Sequence, residues 1–111
     1  MDPATRNREA VTKLIQEYAA LKPSYGDIEP VAVMDEERGH YEVLHVGWEG
    51  SRRVHGSVIH IDLIGDKIWI QYDGTSPGVA EELANEGIPR QSIVLGFRPP
   101  EVRRLTDFAV G

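Results

Sequence analysis

The sequence predicts an α+β domain: an N-terminal helix, an antiparallel sheet of about four strands in a meander, a second helix and a short C-terminal helical turn. Three observations carry this. Residues 11–21 repeat apolar side chains at the helical period, residues 40–48 and 58–72 alternate at the strand period, and Gly65-Asp66 interrupts the longer alternation where a two-residue hairpin turn fits. A length of 111 residues makes 1–111 a single domain.

The elements follow in order. Asp2-Pro3 is a helix start, with Asp as cap and Pro in the first turn. Val11, Leu14, Ile15, Tyr18 and Leu21 then recur at i, i+3, i+4, i+7 and i+10, an apolar stripe on a helix expected to end near Lys22-Pro23. Arg6, Arg8, Glu9, Lys13 and Glu17 occupy the opposite, solvated face. Ile28–Met34 reads as a strand, and Pro30, having no amide donor, places it at a sheet edge. Asp35–Gly39 is a charged hairpin loop that lacks the spaced oxygen ligands of a calcium loop. In the strand His40–Trp48, Leu44, Val46 and Trp48 share one face, and Tyr41, Val43 and His45 share the other.

Around Gly65-Asp66 a two-residue turn sets Ile64 opposite Lys67, Leu63 opposite Ile68, Asp62 opposite Trp69, Ile61 opposite Ile70, His60 opposite Gln71 and Ile59 opposite Tyr72. Ile59, Ile61, Leu63, Ile68, Ile70 and Tyr72 then fall on one face, the core face beneath the first helix. Each such side chain contributes about 1.5–3 kcal/mol when fully buried, before entropy is counted. Ser76-Pro77 is a second helix start. It leads into the stripe Val79, Ala80, Leu83 and Ala84, with Gly87 as the stop. Gln91–Phe97 is a short apolar segment, Pro99-Pro100 opens a helical turn through Leu105, and Phe108 packs on the body.

Composition limits the function classes. No cysteine is present, which excludes disulfides, thiolate metal sites and thiol nucleophiles. The N-terminal residues carry no apolar signal core, and no apolar run approaches the ~20 residues of a bilayer span, so a cytoplasmic location without membrane contact is expected. A net charge of −6 disfavours direct DNA binding by the isolated chain. No glycine-rich phosphate loop occurs, and no cofactor is expected. Arg52, Arg53, Arg90, Arg98, Arg103 and Arg104 are either a patch for phosphate or an acidic partner, or scattered surface ion pairs.

The second sheet face is the informative one. It is expected to carry Tyr41, His45, His60, Asp62, Trp69, Gln71 and Asp73, with Val43 and Val58. Aromatic and polar groups with few lysines are the composition of interfaces, so these seven residues form a candidate partner-binding face. His45, His60 and Asp62 are possible metal ligands, and a metal-dependent hydrolase using them is the alternative reading. A closed site needs about four ligands, and Gln71 and Asp73 are poor additions, so a hydrogen-bonded sheet surface is favoured. A Ser57–His55–Asp62 triad fails because alternation puts Asp62 opposite the other two. No catalytic residue is assigned, and the chain is not expected to be an enzyme.

The segment VGWEGSRRVHGSVIHIDLIGDKIWIQYDGT, residues 46–75, closely resembles the XisI family, small cyanobacterial proteins known as fdxN-element excision controlling factors. The resemblance continues through GVAEELANEGIPRQSIVLGFRPPEVRRLTDFAVG and includes EAVTKLIQEYA near the start, so it spans nearly the whole chain. It implies an accessory role in developmentally programmed excision of a DNA element in nitrogen-fixing filaments. That role involves a recombinase complex and a XisH-like partner whose family looks related to restriction-type nucleases. It brings no catalytic residues. Protein–protein interaction is thus the expected mode of action. The edge strand and polar sheet face make a homo-oligomer plausible as well.

Overall fold

The computed structural model describes all 111 residues, Met1–Gly111. The order is α1 (Pro3–Ala19), β1 (Asp27–Asp35), β2 (His40–Glu49), β3 (Arg52–Ile64), β4 (Lys67–Asp73), α2 (Val79–Asn85), a 3-10 turn (Arg90–Ser92), β5 (Ile93–Leu95) and α3 (Pro100–Arg103). The sheet runs β1-β2-β3-β4-β5 in space. The first four strands are the expected antiparallel meander, with Pro30 on an edge strand; β5 adds to β4 in parallel as a fifth.

Helix α1 begins as the sequence requires. The Asp2 carboxylate accepts from the Thr5 amide at 2.9 Å and from the Thr5 hydroxyl at 3.1 Å, which satisfies one orphan donor of the first turn. Val11, Leu14 and Ile15 are buried on the sheet together with Ile59, Ile61, Ile68 and Ile70. The helix stops at Ala19, so Leu21 lies beyond the stripe it was expected to extend, 63% exposed. Asn7 is the one buried polar residue of the core: its amide donates to the Asp66 carbonyl at 2.9 Å, tying the helix to the β3–β4 turn.

Two extra residues correct the expected faces. Val43 pairs with Ile59 but Leu44 pairs with Ser57, so Val58 is an insertion in β3. Ile61 pairs with Ile70 but His60 pairs with Tyr72, so Gln71 is an insertion in β4. These are β-bulges, which put two residues on one strand opposite one on the next. The hairpin register holds for the four pairs from Ile64–Lys67 to Ile61–Ile70, then slips by one. Tyr72, expected in the core, faces outward opposite His60 and is 50% exposed. Asp73 falls opposite Ile59, on the helix side.

The larger correction concerns β2. Tyr41 and Val43, expected on the polar face, are fully buried beneath the helices, while Leu44, Val46 and Trp48 face away from them. Counting back from the Glu49–Arg52 pair without a bulge would set Tyr41 opposite His60. The extra Val58 moves it opposite Ile61, into the core row. The apolar residues of β2 lie on both faces, so its own alternation could not choose.

Helix α2 starts at Val79, after Gly78, not at Pro77. Asp73 supplies the cap expected of Ser76: one carboxylate oxygen accepts from the Val79 amide at 2.8 Å, the other from the Thr75 amide and hydroxyl at 2.9 and 2.6 Å. Gly87, at φ +103°, stops the helix as expected, with the Ile88 amide donating back to the Leu83 carbonyl. The C-terminus covers the β5 edge through a Val94–Ala109 bridge, and Phe108 packs on the core. No helix is long and apolar enough to cross a membrane.

The two long helical segments are locked by Tyr18, whose hydroxyl donates to Glu82 at 2.5 Å. Burial first, and then the Glu82 carboxylate, push the Tyr18 hydroxyl from 10.0 up to about 12. The folded state holds this proton more tightly than the unfolded state does. The stabilisation is therefore complete below about pH 10 and is lost as pH rises toward about 12. Tyr18→Phe should be less stable than wild type by ~1 kcal/mol at pH 9 in urea unfolding, and the gap should close by pH 12.

Candidate functional site

The face turned away from α1 and α2 divides into two regions. Toward the β1 edge, Val31 lies opposite Leu44, Val33 opposite Glu42, Val46 opposite Glu29 and Trp48 opposite Asp27. Trp48 is 49% exposed and Val33 45%. The Arg53 guanidinium stands over the Trp48 ring, 5.2 Å from its centre. This surface interleaves exposed apolar side chains with the carboxylates of Asp27, Glu29 and Glu42, and no part of the chain buries it.

The second region is a polar cluster across β2, β3 and β4, centred on Asp62. His40 Nδ1 lies 2.5 Å and His60 Nε2 3.0 Å from the same oxygen, Asp62 Oδ1. Gln71 Nε2 donates to Oδ2 at 3.1 Å. An ionised carboxylate can only accept, so each imidazole presents an N–H to it, and His40 Nε2 and His60 Nδ1 are left for other partners. Asp62 is the best-buried member, its side chain 14% exposed against 56% for His40. Burial alone pushes its carboxyl up; the bonds from His40, His60 and Gln71 outweigh that and hold it below the usual range.

The bulge at Gln71 makes this geometry possible, because the inserted residue reaches Asp62 diagonally rather than pairing with His60. Gly96 supports it from beneath: a Cβ there would lie 2.7 Å from Gln71 Oε1 and 3.2 Å from the Trp69 ring. Trp69 pairs with Asp62, and Arg103 stacks on its ring, 5.3 Å from the centre. The same guanidinium donates to the Arg98 and Val110 carbonyls, so Trp69 anchors the C-terminal segment.

Of the seven residues expected on this face, His60, Asp62, Gln71 and Trp69 come together. Tyr41 is instead a core residue, Asp73 caps α2, and His45 shares the side of Tyr41 and Val43, paired with Gly56 and Pro30. His45, His60 and Asp62 therefore do not converge. The convergent set is His40, His60 and Asp62, whose donor atoms all lie within 4.8 Å of one another. His40 carried no signal in the sequence, since only the Val58 bulge sets it opposite Asp62.

The arginines do not gather into one patch: Arg52 pairs with Glu49, Arg90 with Glu81, and Arg53 and Arg103 stack on the two tryptophans. The two largest clefts, of about 240 and 200 Å³, flank α1 and include none of the Asp62 cluster. What the open face offers is a wide surface on which exposed Trp48, Val31 and Val33 share the β1–β2 end with carboxylates and a hydrogen-bonded cluster spans β2, β3 and β4.

The description "XisI protein" fits a family match covering residues 1–110. The chain belongs to the XisI family. A crystal structure of a XisI-like protein from Anabaena variabilis is 41% identical, with a TM-score of 0.89, and the similarity covers 97% of this chain and 99% of that one. The fdxN element excision controlling factor XisI from Anabaena variabilis is 33% identical, with a TM-score of 0.83, over 99% of this chain and 100% of that one. No curated protein matches the chain. The helix, the mostly antiparallel sheet and the short C-terminal helices are thus a XisI fold end to end.

The lowered Asp62 carboxyl gives a signed expectation. Its contribution is present above the unfolded value, near pH 3.8, and is lost as pH falls through the lower folded value. In this XisI-family chain, Asp62→Asn should cost about 1 kcal/mol at neutral pH, discounted for the exposure of His40, and the gap should narrow below pH ~4 in acid unfolding curves.

Proposed function

We propose that the protein is an accessory controlling factor in the excision of a DNA element, and that it acts by docking a protein partner on the open sheet face, not by catalysis. The partner proposed is a XisH-like chain within a recombinase complex, with other components making the DNA contacts. The observation that carries this reading is the open face itself. It leaves Trp48, Val31 and Val33 about half exposed on the same face as a hydrogen-bonded polar cluster at the other end of β2, and no element of the chain covers them. Exposed apolar side chains and fixed hydrogen-bonding groups on one face are how protein interfaces combine affinity with register.

Three further points support it. A net charge of −6 works against holding a phosphate backbone directly. The Asp62 cluster lies on an open surface, and the two largest clefts include none of it. A relative 33% identical over nearly the whole chain is described as an fdxN element excision controlling factor.

Co-expression with a XisH-like protein tests the reading. The two chains should co-purify. Trp48→Ala should weaken their association by roughly tenfold or more, a hot-spot effect of ~1.4 kcal/mol or above. Glu17→Ala, exposed on α1 and so on the other side of the sheet, should leave it unchanged, and both variants should melt near wild type. Failure to co-purify at micromolar concentration would overturn the partner assignment. Trp48→Ala binding as well as wild type would overturn the face. A stable homodimer that dissociates in Trp48→Ala would instead assign the face to a second copy of the chain.

A further inference from the structure

We propose that His40, His60 and Asp62 form a binding site for one divalent transition-metal ion, open on its outer side. The site stands independently of the docking reading. Its ligands come from two adjacent strands locked in register: His40 is directly opposite Asp62, and His60 is two residues before Asp62 on the same face. Two imidazole nitrogens are aimed at a single carboxylate oxygen, at 2.5 and 3.0 Å. In the metal-free protein each nitrogen must place a proton between itself and that oxygen. One cation in the same space would bond all three atoms, the two imidazole protons moving to His40 Nε2 and His60 Nδ1.

The dimensions allow it. Tetrahedral coordination at bonds of about 2.0–2.2 Å separates neighbouring ligand atoms by ~3.3 Å, and the three donors lie within 4.8 Å of one another. The adjustment falls on His40, whose ring is 56% exposed and has the fewest neighbours to move, while Asp62 is also held by Gln71 through Oδ2. That bond gives the carboxylate the outer-shell partner that orients metal ligands in proteins. Gly96 keeps the space in which Gln71 sits.

Two nitrogens and one carboxylate select zinc, cobalt, nickel or copper over magnesium or calcium, which prefer all-oxygen sets. Three protein ligands leave a fourth position, and it points out of the sheet face toward water. Such a site is filled by water or by a donor atom from whatever lies against the face.

The test is titration of tag-free, chelator-stripped protein with Zn2+, and with Co2+ for its visible spectrum. One equivalent should bind, with a nitrogen-rich tetrahedral Co2+ spectrum. His40→Ala and His60→Ala should each weaken binding at least roughly tenfold, ~1.4 kcal/mol. His45→Ala, on the opposite face, should bind as wild type. Circular dichroism checks folding. If His60→Ala does not fold, the exposed His40→Ala decides alone. No saturable binding up to ~100 µM Zn2+, or wild-type affinity in His40→Ala, would overturn the site.

Discussion

The outer surface of this protein depends on one extra residue, Val58 in β3. Without it, the Glu49–Arg52 hairpin would carry Tyr41 out to the solvent side and set His40 opposite Ile61. With it, Tyr41 and Val43 enter the core and His40 meets Asp62. Burial of the Tyr41 ring and the Val43 side chain works for the bulge; the Tyr41 hydroxyl, buried with no partner, and an unmade backbone bond, at about 1–3 kcal/mol each, work against it. The backbone cost is reduced, because the Val58 carbonyl accepts from the Gly74 amide at 2.8 Å. A second insertion, Gln71, ends the strict β3–β4 pairing and frees a side chain to reach Asp62. The bulges thus build the polar cluster while keeping the isoleucine rows in register beneath the helices.

This arrangement divides labour between the two sheet faces. The inner face, with α1 and α2, is scaffold: Tyr18 ties the helices together, Asn7 fixes α1 to the β3–β4 turn, and Asp73 starts α2. The outer face keeps its apolar corner uncovered and its ionisable groups ordered. Asp62 is held ionised below its usual range by three neighbours, so the cluster is preorganised at neutral pH without any partner. A preorganised surface loses less entropy on binding than one that must first order its side chains.

Much of this was legible in the residues. The Asp2-Pro3 start, the stripe through Val11, Leu14 and Ile15, the edge position of Pro30 and the turn at Gly65-Asp66 each follow from local chemistry, and the structure has them. The family resemblance was legible too, and its motif glycines occupy crowded positions. A Cβ on Gly47 would stand 2.0 Å from the Asp27 carbonyl, and one on Gly96 would meet Gln71. What the residues hid is non-local. A bulge has no composition signal, so the roles of Tyr41, His45 and Tyr72 came out on the wrong faces, and His40 went unnoticed. Asp73 was placed on a surface when its carboxylate caps a helix six residues away, a contact that only the loop's path creates.

We propose that a partner sits on the uncovered face around Trp48. Both tryptophans lie on that face, so a Trp69→Phe variant leaves Trp48 as the only indole while keeping an aromatic ring under Arg103. Acrylamide quenching of Trp48 fluorescence, with and without a saturating XisH-like chain whose own tryptophans are replaced by phenylalanine, tests this most directly. Quenching should be strong for the free protein, in keeping with 49% exposure, and should fall severalfold with a blue-shifted emission in the complex. A complex that forms while Trp48 stays as quenchable as in the free chain would contradict it.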